Sequence, residues 1–165
     1  MAKSDAFFLR AKVDSNGATY AQTEIDLGSF VNLGVSKSTL LRIMTVSAQI
    51  TDLSDASLPI LDSADAKISW QLTTQSQTAI VTADDKSLIS SGSMVIKTGV
   101  TPSHDYDVNP QAWAKGYLVG VDTMFLGVDM NTALDSGNVT VAVVLESMLE
   151  AATQANSVAL ALSQQ

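Results

Sequence analysis

The stretch TLLRIMTVSAQIT (Thr39–Thr51) is the clearest long strand in the chain, with a period of two. Leu40, Met44, Val46, Ala48 and Ile50 fall on one face, interrupted by Arg42. Leu41 and Ile43 lead the other face, which turns polar at Thr45, Ser47, Gln49 and Thr51. Alternation over this length describes a strand with one face against a core and one toward solvent. Upstream, AFFLRAKV (Ala6–Val13) and TYAQTEIDL (Thr19–Leu27) alternate too, with the turn residues DSNG (Asp14–Gly17) between them, so they read as a hairpin. The glycines of DLGSFVNLG, Gly28 and Gly34, read as turns, because the G-K-[ST] ending of a phosphate loop is missing.

Downstream of an Asp/Ser/Pro loop (Asp52–Ala66) the same pattern continues. KISWQLTT places Ile68, Trp70 and Leu72 on one face, with Lys67, Ser69, Gln71 and Thr73 on the other. TAIVTA (Thr78–Ala83) and SGSMVIKTG (Ser91–Gly99) read as two further strands. The segment Val100–Gly116 holds Pro102 and Pro110, which keep it out of a sheet interior. Two long strands follow, Tyr117–Met130 and Asn138–Leu149, joined by a hairpin-like NTALDSG (Asn131–Gly137). In the tail Ala152, Ala155, Ala159 and Leu162 lie at helical spacing, with Val158 adjoining.

Eight strand-like segments without long intervening helices disfavour a parallel α/β sheet. They predict an all-β, antiparallel, eight-stranded jelly-roll sandwich filling residues 1–165 as one domain, with residues 152–165 a short C-terminal helix or arm. An immunoglobulin-like sandwich is the competing architecture; it is normally shorter. A chain of 165 residues buries enough surface to fold without a metal or disulfide, and it has no cysteine. MAKSDAFFLRAK is not a signal peptide, since its apolar run is short and broken by Arg10 and Lys12. No apolar window is long enough to span a membrane as a helix.

The net charge is −8, and after Lys115 there is no Lys or Arg. A nucleic-acid binder needs clustered cations to displace phosphate counterions, and none is present, so direct genome or RNA binding is not expected. Only 16% of residues are charged, against about 25% in an ordinary domain.

Candidate chemistry is thin. The one histidine, His104, stands in SHDYDVNP with Asp105 and Asp107, short of the three or four convergent ligands a metal requires. Asp52, Asp55, Asp62 and Asp65 crowd the LPIL loop and are the candidates for calcium, but the spacing lacks the Gly and the terminal Glu of an EF-hand. The expectation is no metal and no cofactor. No G-x-S-x-G is present, and any serine triad would depend on that single histidine. Glu146 alternates with Val143 and Leu145 and points outward, which makes it a poor catalytic acid. The NVT at Asn138 is an accidental glycosylation match. Trp70 reads as core, and Trp113 as a plug at the end of the sandwich rather than a ligand platform. An enzyme is therefore not expected.

The stretches TEIDLGSFVNLGVSKSTLLRIMTVSAQITD, SWQLTTQSQTAIV, KGYLVGVDTMFLGVDMN and VTVAVVLESMLEAATQANSVALALSQQ together resemble the small single jelly-roll capsid proteins of viruses. The resemblance implies many identical copies closing into a shell, a virion location, and synthesis in the host cytoplasm. It also accounts for the uncharged run Ser69–Ala83, because charges are costly to bury at a subunit contact. Gln71, Thr73, Gln75 and Gln77 would face a neighbour there, and Val158, Leu160 and Leu162 of the tail would dock on another copy. Removing the residues after Thr153 should then impair assembly more than folding. The basic amino-terminal arm of many such proteins is missing. That points to shells of upright jelly rolls in which an internal membrane, a basic protein or small cations neutralise the genome, and in which a second capsid protein often takes part. The alternative is a carbohydrate- or ligand-binding β-sandwich module with Trp113, Tyr117 and Tyr106 as its platform. A non-viral surface or filament subunit ranks last.

Overall fold

In a computed structural model the chain is described over residues 4–33, 37–53, 65–97, 103–105, 111–135 and 137–164. Among these residues nine strands and one helix follow in order: β1 (Phe7–Asp14), β2 (Ala21–Asp26), β3 (Lys37–Asp52), β4 (Ala66–Thr73), β5 (Leu88–Ile96), β6 (Ser103–Asp105), β7 (Gln111–Val119), β8 (Thr123–Met130), β9 (Val139–Thr153) and α1 (Gln154–Ser163). They form a four-stranded sheet, β1-β9-β3-β7, and a five-stranded sheet, β2-β8-β4-β5-β6, with every pairing antiparallel. One core joins the two sheets, built from Leu41, Ile43, Val141 and Val143 on one side and Ile68, Trp70, Leu126 and Val128 on the other. Without the three-residue β6 this is an eight-stranded jelly roll, in which the chain passes repeatedly from sheet to sheet.

That winding corrects two expectations. β1 and β2 are not a hairpin: β1 pairs with β9 and β2 with β8, in opposite sheets. Gly17 turns the chain at φ +55° and Asn16 bridges Thr19, so the reversal is present. Turn residues report a change of direction, not the sheet that the return strand joins. β8 and β9 likewise lie in different sheets, and their link crosses the sandwich.

Three strand assignments also differ. The predicted strand Tyr117–Met130 is two strands, broken at Gly120–Asp122, where the chain changes sheet and the Leu27 amide donates to the Asp122 carbonyl at 2.7 Å. Part of the proline-bearing segment adds β6 to the edge of β5. Thr78–Ala83 is no strand at all; it lies in the connection between β4 and β5.

The shift of apolar phase in Thr39–Thr51 has a structural cause. The ladder of β3 slips between Ile43 and Thr45 against both β7 and β9. Leu41 and Ile43 face the core before this bulge, and Val46 and Ile50 face it afterwards. An extra residue in one strand switches which parity points inward. Arg42 stays outside the core, where its Nε lies 2.5 Å from Glu150 Oε2 and its guanidinium also donates to the Lys115 carbonyl.

Candidate assembly surfaces

The outer face of the five-stranded sheet explains the uncharged run. Gln71 is 0% exposed. Its amide Nε2 donates to Tyr20 Oη and to the Ala79 carbonyl, each at 2.9 Å, and its Oε1 accepts from the Val81 amide at 2.8 Å. The side chain thus offers Ala79–Val81 the donor and acceptor that a neighbouring strand would have supplied. This is why TAIVTA, apolar and extended, needs no ladder. Thr73, also 0% exposed, donates to the Gln75 carbonyl at 2.7 Å. Gln75 Nε2 donates to the Gln164 carbonyl at 3.2 Å and Gln77 Nε2 to Ser87 Oγ at 2.9 Å. Residues 74–87 therefore fold back over their own sheet. The expectation that Gln71 and Thr73 meet a neighbouring subunit is corrected: both are enclosed within the chain. Charges would indeed be costly on this face, but its cover is intramolecular.

Tyr20 completes this cover. A Cβ placed on Gly127 would lie 2.0 Å from Tyr20 Oη, so the phenol rests on the bare backbone of β8. Burial pushes the Tyr20 phenol above its ordinary pKa, helped by the Asp129 charge and opposed by the bond from Gln71.

After β9, α1 packs against β3 and β9 of the four-stranded sheet, and the residue after it reaches Thr74 at the end of β4. Thr153 caps it, its hydroxyl accepting from the Asn156 amide at 3.4 Å. Ser157, 0% exposed, donates to Ser38 Oγ of β3 at 2.9 Å. Leu160 lies over Gly120, where an added Cβ would come within 3.0 Å of it. Gln164 locks the far end: Oε1 accepts from the Gly120 amide at 2.9 Å, Nε2 donates to the Leu118 carbonyl at 2.7 Å, and its own carbonyl accepts from Thr74 Oγ1 at 2.9 Å. The inward face thus carries Ser157, Leu160 and Gln164. The predicted apolar stripe points the other way, with Val158 46% and Leu162 65% exposed. Of the seven residues expected at an interface, these two are the fully exposed ones; Gln75, Gln77 and Leu160 are half-buried, and Gln71 and Thr73 enclosed.

The outer face of the four-stranded sheet carries a surface the sequence reading missed. A shallow groove of about 450 Å³ is lined by Arg10 and Lys12 of β1, Gln49 of β3, and Ala142 and Val144 of β9. Phe8 stands beside it, 57% exposed, with the Arg10 guanidinium 5.8 Å from its ring centre. A signal was present: outward positions of β9 should be polar, yet Ala142 and Val144 make this strand apolar on both faces. Glu146 also lies on this outer face and accepts from Thr45 Oγ1 at 3.4 Å.

Among the described residues the remaining candidates are not brought together. Asp65 pairs with Lys97 at 3.1 Å in an exposed ion pair, Asp52 ends β3, and Asp55 and Asp62 lie outside the described residues. Among the described residues no three His, Asp or Glu side chains come together. His104 is placed only as part of β6, and Tyr106 and Asp107 lie outside the described residues. Trp113 and Tyr117 pack half-buried against the core, ring centres 5.7 Å apart, rather than forming an exposed sugar platform.

The architecture is that of an eight-stranded jelly-roll sandwich. It is similar to VP1 of trichodysplasia spinulosa-associated polyomavirus, solved in complex with GM1 oligosaccharide, with a TM-score of 0.51, 6% identity, and coverage of 87% of this chain and 94% of that one. It is also similar to human polyomavirus 12 VP1, solved in complex with 3′-sialyllactosamine, with a TM-score of 0.51, 7% identity, and coverage of 90% and 100%. At this identity the likeness is one of fold. No protein-family model and no curated protein sequence matches the chain.

Proposed function

We propose that the protein is a structural subunit of a viral capsid, one of many copies that assemble into a shell around a genome it does not itself bind. The observation that carries this reading is the C-terminal helix of the jelly roll, whose polar face is bonded inward while Val158 and Leu162 face out. Apolar side chains held outward on an anchored element suit a repeated contact with other subunits. The scarcity of clustered cations supports a shell whose genome is neutralised by other means. A second capsid protein is a natural partner, the virion is the site of function, and synthesis belongs to the host cytoplasm. No cofactor enters this reading, so assembly should proceed equally with calcium and with a chelator.

The test is sedimentation and electron microscopy of the concentrated protein, and of particles from its native source, in both conditions. Assemblies of many copies are expected. Monomers alone at every concentration, together with native particles that lack the chain, would overturn the reading.

A further inference from the structure

Four large apolar side chains are exposed among the described residues: Phe8, Leu53, Val158 and Leu162. Three of them belong to two places, the outward stripe of α1 and the border of the groove on the four-stranded sheet. We propose that these two surfaces are halves of one contact, in which the α1 stripe of one copy seats in the groove of the next. This inference rests on the capsid reading and names the contact within it.

A chain cannot fill its own groove. The groove is centred on Ala142 and Val144, and α1 starts only after Thr153 on the same strand. At about 3.3 Å per residue the two lie roughly 30 Å apart along β9, and Gln164 and Ser157 fasten the helix at its own end. The occupant must come from another molecule.

Charge favours a second copy. The chain carries −8, yet Gln154–Gln165 holds no charged residue, so this surface approaches another acidic copy without a like charge of its own. The groove is rimmed by Arg10 and Lys12, cations that attract an acidic molecule. Val158 and Leu162 supply apolar side chains, and Ala142 and Val144 an apolar floor.

Size sets the character of the contact. A ten-residue helix is only about 15 Å long. One face of it falls well short of the roughly 800 Å² per partner of a stable pair. The contact is therefore weak alone and gains strength by repetition. Because unlike surfaces meet, it is head-to-tail, the type that propagates into rings or lattices instead of stopping at a dimer.

The absence of cysteine makes the test direct. Gln49→Cys marks the groove and Leu162→Cys marks the helix, both at exposed positions. On oxidation the mixture of the two variants should give a cross-linked dimer at least tenfold more abundant than either variant gives alone. A cross-link of equal yield between two chains of the Leu162→Cys variant would overturn the proposal in favour of helix on helix. A second pair avoids chemical capture: V158D/L162D disables the helix and A142E blocks the groove, with near-ultraviolet circular dichroism checking the fold. Each alone should sediment as monomer at every concentration, and their mixture should shift toward a one-to-one dimer only as concentration rises into the range a single weak contact requires, since each supplies one intact half. Mixtures that stay monomeric while the unaltered protein still forms particles would overturn this contact and leave the capsid reading standing. Unaltered protein that never associates would sink both.

Discussion

Gln71 shows how one side chain can decide what a segment becomes. Its amide saturates the Ala79 carbonyl and the Val81 amide, and it also holds Tyr20 in place. Gln71→Leu would fill similar space while leaving the Ala79 carbonyl and the Val81 amide without this partner under the connection, and Tyr20 Oη with its longer bond to Gln22. A buried group left unsatisfied costs about 1–3 kcal/mol, so the variant should lose roughly 2–4 kcal/mol, since Ala79–Val81 can partly reach water by lifting. Urea unfolding followed by tryptophan fluorescence measures this, and proteolysis should move to residues 76–86. An unchanged midpoint would refute the role. Alternation along β4 is enough to put Gln71 on the outer face of its strand, because a period of two gives the side. What covers that side depends on where the next fourteen residues fold, and no local pattern carries that information.

Among the elements, β3 and α1 teach opposite lessons. The change of apolar parity within Thr39–Thr51 is legible in the residue order itself, and it marks the bulge between Ile43 and Thr45. Period two is strict enough that a change of phase must appear as an extra residue. The helix is legible too, in the spacing of Ala155, Val158, Ala159 and Leu162. Its orientation is not, because a polar face normally turns to water. Here Gln164 and Ser157 find buried partners on β7, β3 and the β7–β8 junction, so hydrogen bonding rather than apolar burial sets the rotation. It follows that α1 is part of the packing of the domain, and deleting residues after Thr153 would weaken folding as well as assembly. The more selective change is Gln164→Ala, which leaves the Gly120 amide and the Leu118 carbonyl unpaired. It should cost about 1–3 kcal/mol in denaturant unfolding and speed cleavage within 154–163. Unaltered protection of the helix would contradict that anchoring.

For the molecule as a whole, both tyrosines bonded to glutamine lie under cover. Burial raises the Tyr117 phenol, as it does that of Tyr20. The unfolded chain therefore ionises first, near pH 10. Stability contributed by the two protonated phenols is fully present below that pH and is lost as pH rises through their higher folded values. Thermal unfolding between pH 9 and pH 11.5, with tyrosinate absorbance followed at each pH, should show a fall in midpoint that Tyr20→Phe reduces. An identical fall in that variant would exclude Tyr20 as a source. The class is readable at this scale because repeated alternating segments leave few architectures, whereas the count is not: the split of Tyr117–Met130 offsets the loss of Thr78–Ala83, and β6 is extra. Partnering is not readable either, since it joins residues from opposite ends of the chain. Phe7 finds Ser147 and Lys37 finds Thr153. β9 therefore slots between β1 and β3 after both have been synthesised. Until the ribosome has delivered that final ribbon, the nascent polypeptide keeps two unpaired borders waiting with a gap between them. Folding of this kind is slow, because distant pairings close large loops. A crowded polysome, where many half-made chains expose the same gap, is where such a protein would most need a chaperone.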